Sequence, residues 1–152
     1  MTAGSVWKIV VMVLAGGGLL AAQTVPSDWK VLRDEKGLCQ IMLPPDWIVD
    51  KDNPGTASTK DYGMKGGLAV VLSDAYSKMA AMPESVRKMF GIEKMIENTD
   101  KRVFYTDKSG NVTNYNVSIP GKTGKCDVQL TAFPDITEAL AKQIALSLGP
   151  VK

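Results

Sequence analysis

The two cysteines are the residues whose possible chemistry can be narrowed furthest from the sequence. Cys39 and Cys126 lie far apart in the chain, and neither belongs to a C-x-x-C pair. A redox-active dithiol and a four-ligand zinc site therefore lack their ligands. Period-two alternation in residues 39–43 and 126–130 places each cysteine on the apolar face of a strand. In an oxidising compartment we expect the two thiols to form a disulfide. Two separate buried thiols would fit the same pattern.

Histidine is absent from the chain. Because His is the commonest general base and metal ligand, Ser-His and Cys-His nucleophiles, His-ligated zinc and facial-triad iron sites are excluded. Pairs of Asp and Glu remain available for acid–base catalysis, but no spacing singles one out. The sequence thus specifies no catalytic residue, no metal ligand and no cofactor site, and it favours a non-catalytic protein over an enzyme.

Two glycine-containing loops match ligand-binding motifs only in part. Gly121-Lys122-Thr123 matches the end of a phosphate-binding loop, but Asn116 replaces the first required Gly and the segment lies between two strands. We predict a hairpin turn there. In residues 50–61, Gly55 holds the sixth place of a calcium loop, while Pro54 replaces an oxygen ligand. A turn is favoured over a calcium site.

The candidate binding surface consists of Trp47, Asp50 and Asp52, which begin a turn-rich loop over residues 50–59. An aromatic ring beside carboxylates can line a ligand groove, although packing in the core is the ordinary role of a Trp. A small hydrolase or ligand-binding protein using Asp, Glu or Ser chemistry in a cleft at this loop is the alternative function.

Residues 1–22 have the pattern of a secretory signal peptide. Lys8 supplies the positive region, residues 9–22 are uncharged and largely apolar, and Ala21 and Ala22 offer a peptidase site. The apolar stretch is shorter than the ~20 residues that span a bilayer. We expect cleavage, a single domain over residues 23–152, and a periplasmic or secreted protein. An uncleaved membrane anchor is the alternative.

The net charge of the chain limits the classes of partner that we expect. The chain carries 18 basic and 16 acidic residues, and Lys8 is the one charged residue of the predicted signal peptide. A nearly neutral domain has no electrostatic footprint for nucleic acid and none for an anionic membrane surface. We expect the partner to be another envelope or secreted protein, and the oligomeric state is left open.

The order of predicted elements indicates an α+β domain in which helices pack on an antiparallel sheet. Period-two patterns and turn residues predict strands over residues 29–32, 38–43, 46–49, 58–62, 68–72, 102–106, 112–119 and 126–133. The segment 107–110 is predicted as a hairpin turn, and Asn114, Asn116 and Ser118 as the solvent side of a strand.

Two helices complete the prediction. Apolar residues at helical spacing predict one over residues 83–98, with nearby methionines filling core gaps. A second helix is predicted from a capping box of Asp135 and Glu138 to a stop at Gly149-Pro150. Its apolar stripe consists of Ile136, Leu140, Ile144 and Leu148.

The strand that runs into Pro44-Pro45-Asp46-Trp47, together with a last strand and terminal helix over residues 126–148, resembles the Mog1/PsbP-like superfamily. The resemblance implies an α/β/α sandwich around an antiparallel sheet. It also implies a mostly non-enzymatic role, since members include photosystem accessory subunits, a Ran-binding protein and bacterial envelope proteins. The similarity covers structural positions and carries over no functional residue. We therefore expect an exported accessory or protein-binding domain.

Overall fold

The computed structural model describes residues 25–63, 67–75 and 80–152. The predicted signal peptide, and Met64 and Met79 among the methionines, lie outside these ranges. The described residues form ten strands, β1 to β10: Lys30–Arg33, Cys39–Leu43, Ile48–Val49, Thr56–Ser58, Leu68–Ala75, Lys94–Asn98, Val103–Ser109, Val112–Pro120, Lys125–Ala132 and Gly149–Pro150. They also form two helices, α1 over Glu84–Met89 and α2 over Glu138–Leu146.

The strands form two antiparallel sheets. The smaller sheet has the order β1-β2-β10, and the larger has the order β3-β4-β5-β9-β8-β7-β6. Helix α2 and strand β2 pack on one face of the larger sheet, which we call the inner face. Residues 80–83 and α1 lie against the opposite, outer face near Val103 and Ser118. This arrangement confirms the predicted α+β class and its sandwich of helices around an antiparallel sheet.

The core lies between the inner face, α2 and β2. Side chains that alternate along the strands and recur along α2 fill it, as the period-two and helical patterns predict. The largest fully buried side chains are Phe104, Ile41, Leu43, Leu130, Ile144, Val70, Val117, Cys39 and Cys126. Cys39 and Cys126 form a disulfide, which confirms the predicted pairing.

Asp34 closes the turn between β1 and β2. Its side chain is buried, and its carboxylate accepts the backbone N–H groups of Lys36 at 3.2 Å, Leu38 at 2.7 Å and Cys39 at 2.6 Å. A buried carboxylate is tolerated when several donors satisfy it. The turn therefore holds Cys39 in place for its disulfide.

The helix predicted over residues 83–98 is wrong in its second half. Helix α1 ends at Met89, and Gly91 adopts a φ of +58° that turns the chain out of the helix. Residues 94–98 form β6 beside β7, with a register shift between Met95 and Glu97. The bulge disturbs the period-two pattern, so the apolar residues of β6 imitate helical spacing.

At the end of α1, Met89 does not pack in the core as predicted. Met89 is 85% exposed, and no residue of α1 is buried. Met82 and Met95 are half-buried. The expectation that Met89 fills a core gap is therefore wrong, because Met89 lies at the exposed end of a short helix.

Two local predictions are displaced along the chain. Thr137, not Asp135, caps α2, and its hydroxyl accepts the N–H of Leu140 at 3.3 Å. Asp135 instead accepts the N–H of Gly67, so a tertiary contact replaces the capping box. The β7–β8 hairpin turns at residues 110–111, which leaves Asp107 and Lys108 inside β7.

The strand predicted over residues 58–62 is shifted toward the N-terminus. Strand β4 covers Thr56–Ser58 and pairs with β3 and β5. Residues 59–62 form a turn, closed by the N–H of Tyr62 and the carbonyl of Thr59. Within the described ranges, no helix is long and apolar enough to cross a bilayer.

Candidate functional site

The structure separates Trp47 from the carboxylates predicted to share its surface. Trp47 is 3% exposed and packs in the core. A turn closed by the Trp47 N–H and the Pro44 carbonyl carries it inward. The ammonium group of Lys30 donates to the carbonyls of Trp47 and Pro45, which ties this turn to β1. Trp47 therefore presents no surface to a ligand.

Asp50 organises its own loop. One carboxylate oxygen accepts the N–H groups of Asp52 at 2.9 Å and Asn53 at 3.3 Å, and the other accepts the side-chain amide of Asn53 at 2.7 Å. The bond from the Asn53 side chain, followed by that from the Asp52 N–H, lowers the pKa of Asp50. A carboxylate held ionised in this way is a poor general acid near neutral pH. Asp52 is exposed on the same loop.

A groove of about 470 Å³ lies beside this loop, between β1 and the loop that follows β3. We call it the edge groove and define it by Val31, Arg33, Val49, Lys51 and Pro54, which line it. Both β1 and β3 are edge strands of their sheets. Of the predicted surface residues, Asp50 lies at this groove, while Trp47 is not among its lining residues.

Gly55 allows the loop to approach the sheet closely. Its φ is +85°, and its carbonyl accepts the N–H of Leu72 at 2.8 Å. A Cβ atom at this position would collide with the Leu72 carbonyl oxygen. The glycine therefore fixes the loop wall of the edge groove against β5.

Some N–H and C=O groups of both edge strands point away from the neighbouring strand of their sheet. The N–H of Asp34 donates to the Cys39 carbonyl, and antiparallel pairs alternate between bonded and unbonded positions. The backbone groups of Leu32 therefore face β2, and those of Val31 and Arg33 face away from it. The same reasoning from the Asp50 N–H and the Thr56 carbonyl turns the backbone of Val49 away from β4.

The mouth of the edge groove is cationic. Arg33 and Lys51 are exposed and form no ion pair within the described part of the chain. The nearby carboxylate of Asp50 is already bonded to Asp52 and Asn53. Val31 at 47% and Val49 at 37% exposure supply apolar surface. The groove thus combines apolar contact, unpaired backbone groups and positive charge.

A second, smaller cleft of about 260 Å³ lies where residues 80–83 and Val86 face the outer side of the sheet. Its polar side chains are already engaged with one another. The Ser118 hydroxyl bonds to Asp127, and Lys125 pairs with Asp127 at 3.3 Å. This cleft therefore offers fewer groups to a ligand than the edge groove.

The outer face of the larger sheet carries a chain of polar contacts across β7, β8 and β9. Asp107 accepts the side-chain amides of Asn114 at 2.7 Å and Asn116 at 2.8 Å. The amide oxygens then accept the Thr131 hydroxyl and the Gln129 amide. The partly exposed side chains of Asn114, Asn116 and Ser118 fit their predicted place on the solvent side of β8.

Beside this network, Tyr105 has its pKa raised by burial, and further by the charges of Asp107 and Asp127. No group of three or more His, Cys, Asp or Glu within the described ranges is placed to hold a metal ion. Sequence reasoning missed the edge groove, because its residues come from strands that meet only in the folded chain. In the sequence, the feature that marks them is a valine on each of two short predicted strands, Val31 and Val49.

The architecture of this chain recurs in solved structures. The solution structure of cyanobacterial PsbP (CyanoP) from Synechocystis sp. PCC 6803 superposes with a TM-score of 0.51 over 91% of this chain and 98% of that chain, at 15% identity. The chain has a PsbP-like fold. At this identity the likeness concerns the fold alone, and it agrees with the fold that the resemblance of the Pro44-Pro45-Asp46-Trp47 segment implies.

A second solved structure that resembles this chain comes from Bacteroides thetaiotaomicron VPI-5482. It superposes with a TM-score of 0.50 at 10% identity over 82% of this chain, which spans about half (49%) of that protein. No family model matches the chain, and no curated protein matches it significantly.

Proposed function

We propose that this protein is an exported, non-catalytic domain that binds another envelope or secreted protein as its accessory. The edge groove is the observation that carries this proposal. Exposed apolar side chains beside unpaired strand backbone are a usual basis for protein recognition. Its open form suits a polypeptide better than a small substrate, which needs an enclosing pocket.

Export is supported by two independent features. The buried Cys39–Cys126 disulfide belongs to an oxidising compartment, where such bonds persist. The apolar stretch over residues 9–22, preceded by Lys8, supplies a route to that compartment. Both features support a periplasmic or secreted location.

Two carboxylates with lowered pKa are unsuited to general acid catalysis. Asp50 and Glu138 are carboxylates with a lowered pKa, held by Asn53 and by Lys142 respectively. Both favour the charged form and so do not supply a proton near neutral pH. Asp50 is the one carboxylate among the residues that line the edge groove, so an enzyme there would lack a converging pair of carboxylates.

Affinity capture from the envelope or medium of the source cells tests the binding role. We compare the full chain with the double variant Val31→Asp, Val49→Asp and with Val71→Asp. Val71 is a matched control, since it is 51% exposed on a different surface of the larger sheet. We expect a protein captured by the wild type and by Val71→Asp to be lost from the double variant. Capture that survives in the double variant would exclude the edge groove as the binding site.

Analysis of the exported protein tests export and processing together. We expect its N-terminal sequence to begin after the leader at about residue 23. We also expect its intact mass without reductant to lack both thiol hydrogens. A chain that retains residues 1–22 would support a membrane-tethered accessory protein instead.

A further inference from the structure

We propose that the edge groove binds an extended segment of the partner, which adds as a fourth strand to the free edge of β1. The segment carries apolar residues and an acidic residue placed opposite Arg33. This inference rests on the proposed function and specifies how that function is carried out.

The free edge of β1 is prepared for strand addition. Because Leu32 and Asp34 bond to β2, Val31 and Arg33 direct their N–H and C=O groups outward at a two-residue spacing. An added strand pairs with such a row through main-chain hydrogen bonds, and side-chain pockets supply specificity. Val31 and Arg33 are the only two residues of the four-residue β1 with this outward pairing.

The side chains around this edge define the segment. Val31 and Arg33 lie on one face of β1, opposite to the buried Leu32. A partner residue opposite Val31 is therefore apolar, and one opposite Arg33 is acidic. The intervening partner residue points toward the larger sheet, where Val49 shares the face of Ala57 and Val70. That residue is apolar as well.

Charge argues for an acidic segment over a second copy of this chain. Arg33 and Lys51 place two cations at the mouth, and a second β1 would add Lys30 and Arg33 to them. Basic residues on an edge strand oppose self-pairing. An acidic side chain opposite Arg33 instead meets a cation that has no other ion-pair partner among the described residues.

The length of the segment follows from the short length of β1. Val31 and Arg33, the two β1 residues with outward backbone groups, both line the groove, and the Lys30 side chain is already bonded to the carbonyls of Pro45 and Trp47. A segment of about five residues therefore spans the pairing positions, since each strand residue advances ~3.3 Å.

A tethered peptide tests this mode before the partner is identified. The full chain is extended beyond Lys152 by about twelve Gly and Ser residues and then by Glu-Val-Val-Val-Glu. Strand β10 lies two strands from β1, about 10 Å away at the usual strand spacing. A linker of this length has an end-to-end distance of roughly 19 Å and gives millimolar effective concentration. The symmetric peptide presents the same side chains in either strand direction.

The readout is backbone hydrogen exchange at β1. We expect the amides of Val31 and Arg33 to exchange about tenfold more slowly in the acidic fusion than in the unextended protein. Leu32, which already bonds to β2, serves as the internal control and is unchanged. A fusion ending in Lys-Val-Val-Val-Lys is the matched control and leaves Val31 and Arg33 unprotected.

The outcomes separate this mode from the proposed function. Unchanged exchange at Val31 and Arg33 in the acidic fusion, or equal protection in both fusions, would overturn strand addition by an acidic segment. Partner capture that still depends on Val31 and Val49 would then leave the protein-binding function standing. Protection of these amides without any captured protein would support the binding mode and contradict the accessory role.

Discussion

Cys39 of the three-stranded sheet is bonded to Cys126 of the seven-stranded sheet, with Cα atoms 5.6 Å apart. Both side chains are at most 1% exposed. The bond joins β2 to β9, which lies in the interior of the larger sheet between β5 and β8. The disulfide therefore links the two layers of the sandwich across the core, and reductants meet it only when the core opens.

Removing this bond is expected to cost much of the stability of the domain. The bond joins residues 87 apart in sequence, for which the chain-entropy model gives about 4 to 5 kcal/mol. We expect the double variant Cys39→Ala, Cys126→Ala to lose unfolding free energy of this order in urea titration. The control is the wild type titrated without reductant, in which the disulfide stays closed in both the folded and the unfolded state. A loss below about 1 kcal/mol would show that packing alone holds the two sheets together.

Gly55 is expected to be more sensitive to substitution than a glycine of positive φ that has open space around it. Gly55→Ala adds a Cβ against the Leu72 carbonyl, whereas Gly110, with a φ of +62°, has open space around it. Both variants bear a left-handed penalty of about 1–2 kcal/mol. Gly55→Ala bears a further 1–3 kcal/mol, roughly, for crowding. Urea titration of both variants measures the difference, and equal losses would contradict a fixed loop wall at Gly55.

The end of α1 presents an exposed apolar pair. Met89 is 85% and Phe90 is 58% exposed, so their replacement by Ser changes few packed contacts. We expect Met89→Ser, Phe90→Ser to alter the unfolding free energy, measured by urea titration, by about 0.5 kcal/mol or less. Phe104→Ser is the contrasting variant, because Phe104 is fully buried. A large stability loss in the α1 variant would place its side chains in a packed interface.

Tyr105 couples stability to alkaline pH. Burial raises the pKa of Tyr105 above its ordinary value of 10.0, and Asp107 and Asp127 raise it further. The folded state thus keeps this proton at a pH where the unfolded chain has lost it. The corresponding stability is complete below the unfolded pKa and is lost as pH rises through the folded pKa. Tyr105→Phe is expected to weaken this alkaline loss.

The Asp107 contribution to that pKa has its own test. We expect Asp107→Asn to lower the pKa of Tyr105 while leaving it above its ordinary value, because burial is the larger cause. Carbon NMR of the tyrosine rings through an alkaline titration measures this shift. Tyr115 is the internal control, since its pKa is raised by burial, Glu138 and Glu93. An equal change at both tyrosines would indicate a general loosening of the sheet.

The sequence predicted the fold correctly in segments where a single pattern, such as strand alternation, determines the local structure. Alternation in residues 39–43 and 126–130 correctly placed both cysteines on the buried face. Turn residues separated most strands. The prediction from sequence was wrong in segments where two patterns overlap. The bulge at Met95 and Glu97 gave β6 a helical spacing, and the contact of Asp135 with Gly67 displaced the cap of α2 to Thr137.

The sequence by itself determined the inward side of each main strand, the disulfide partners and the α+β class, because strand periodicity and composition are local properties. Only the tertiary structure decided where surfaces meet. It placed Trp47 in the core, turned Asp50 toward its own loop, and brought Val31 and Val49 to one groove. These outcomes depend on strand order and on which edges remain unpaired. The spacing of side chains along the sequence specifies neither the strand order nor the unpaired edges.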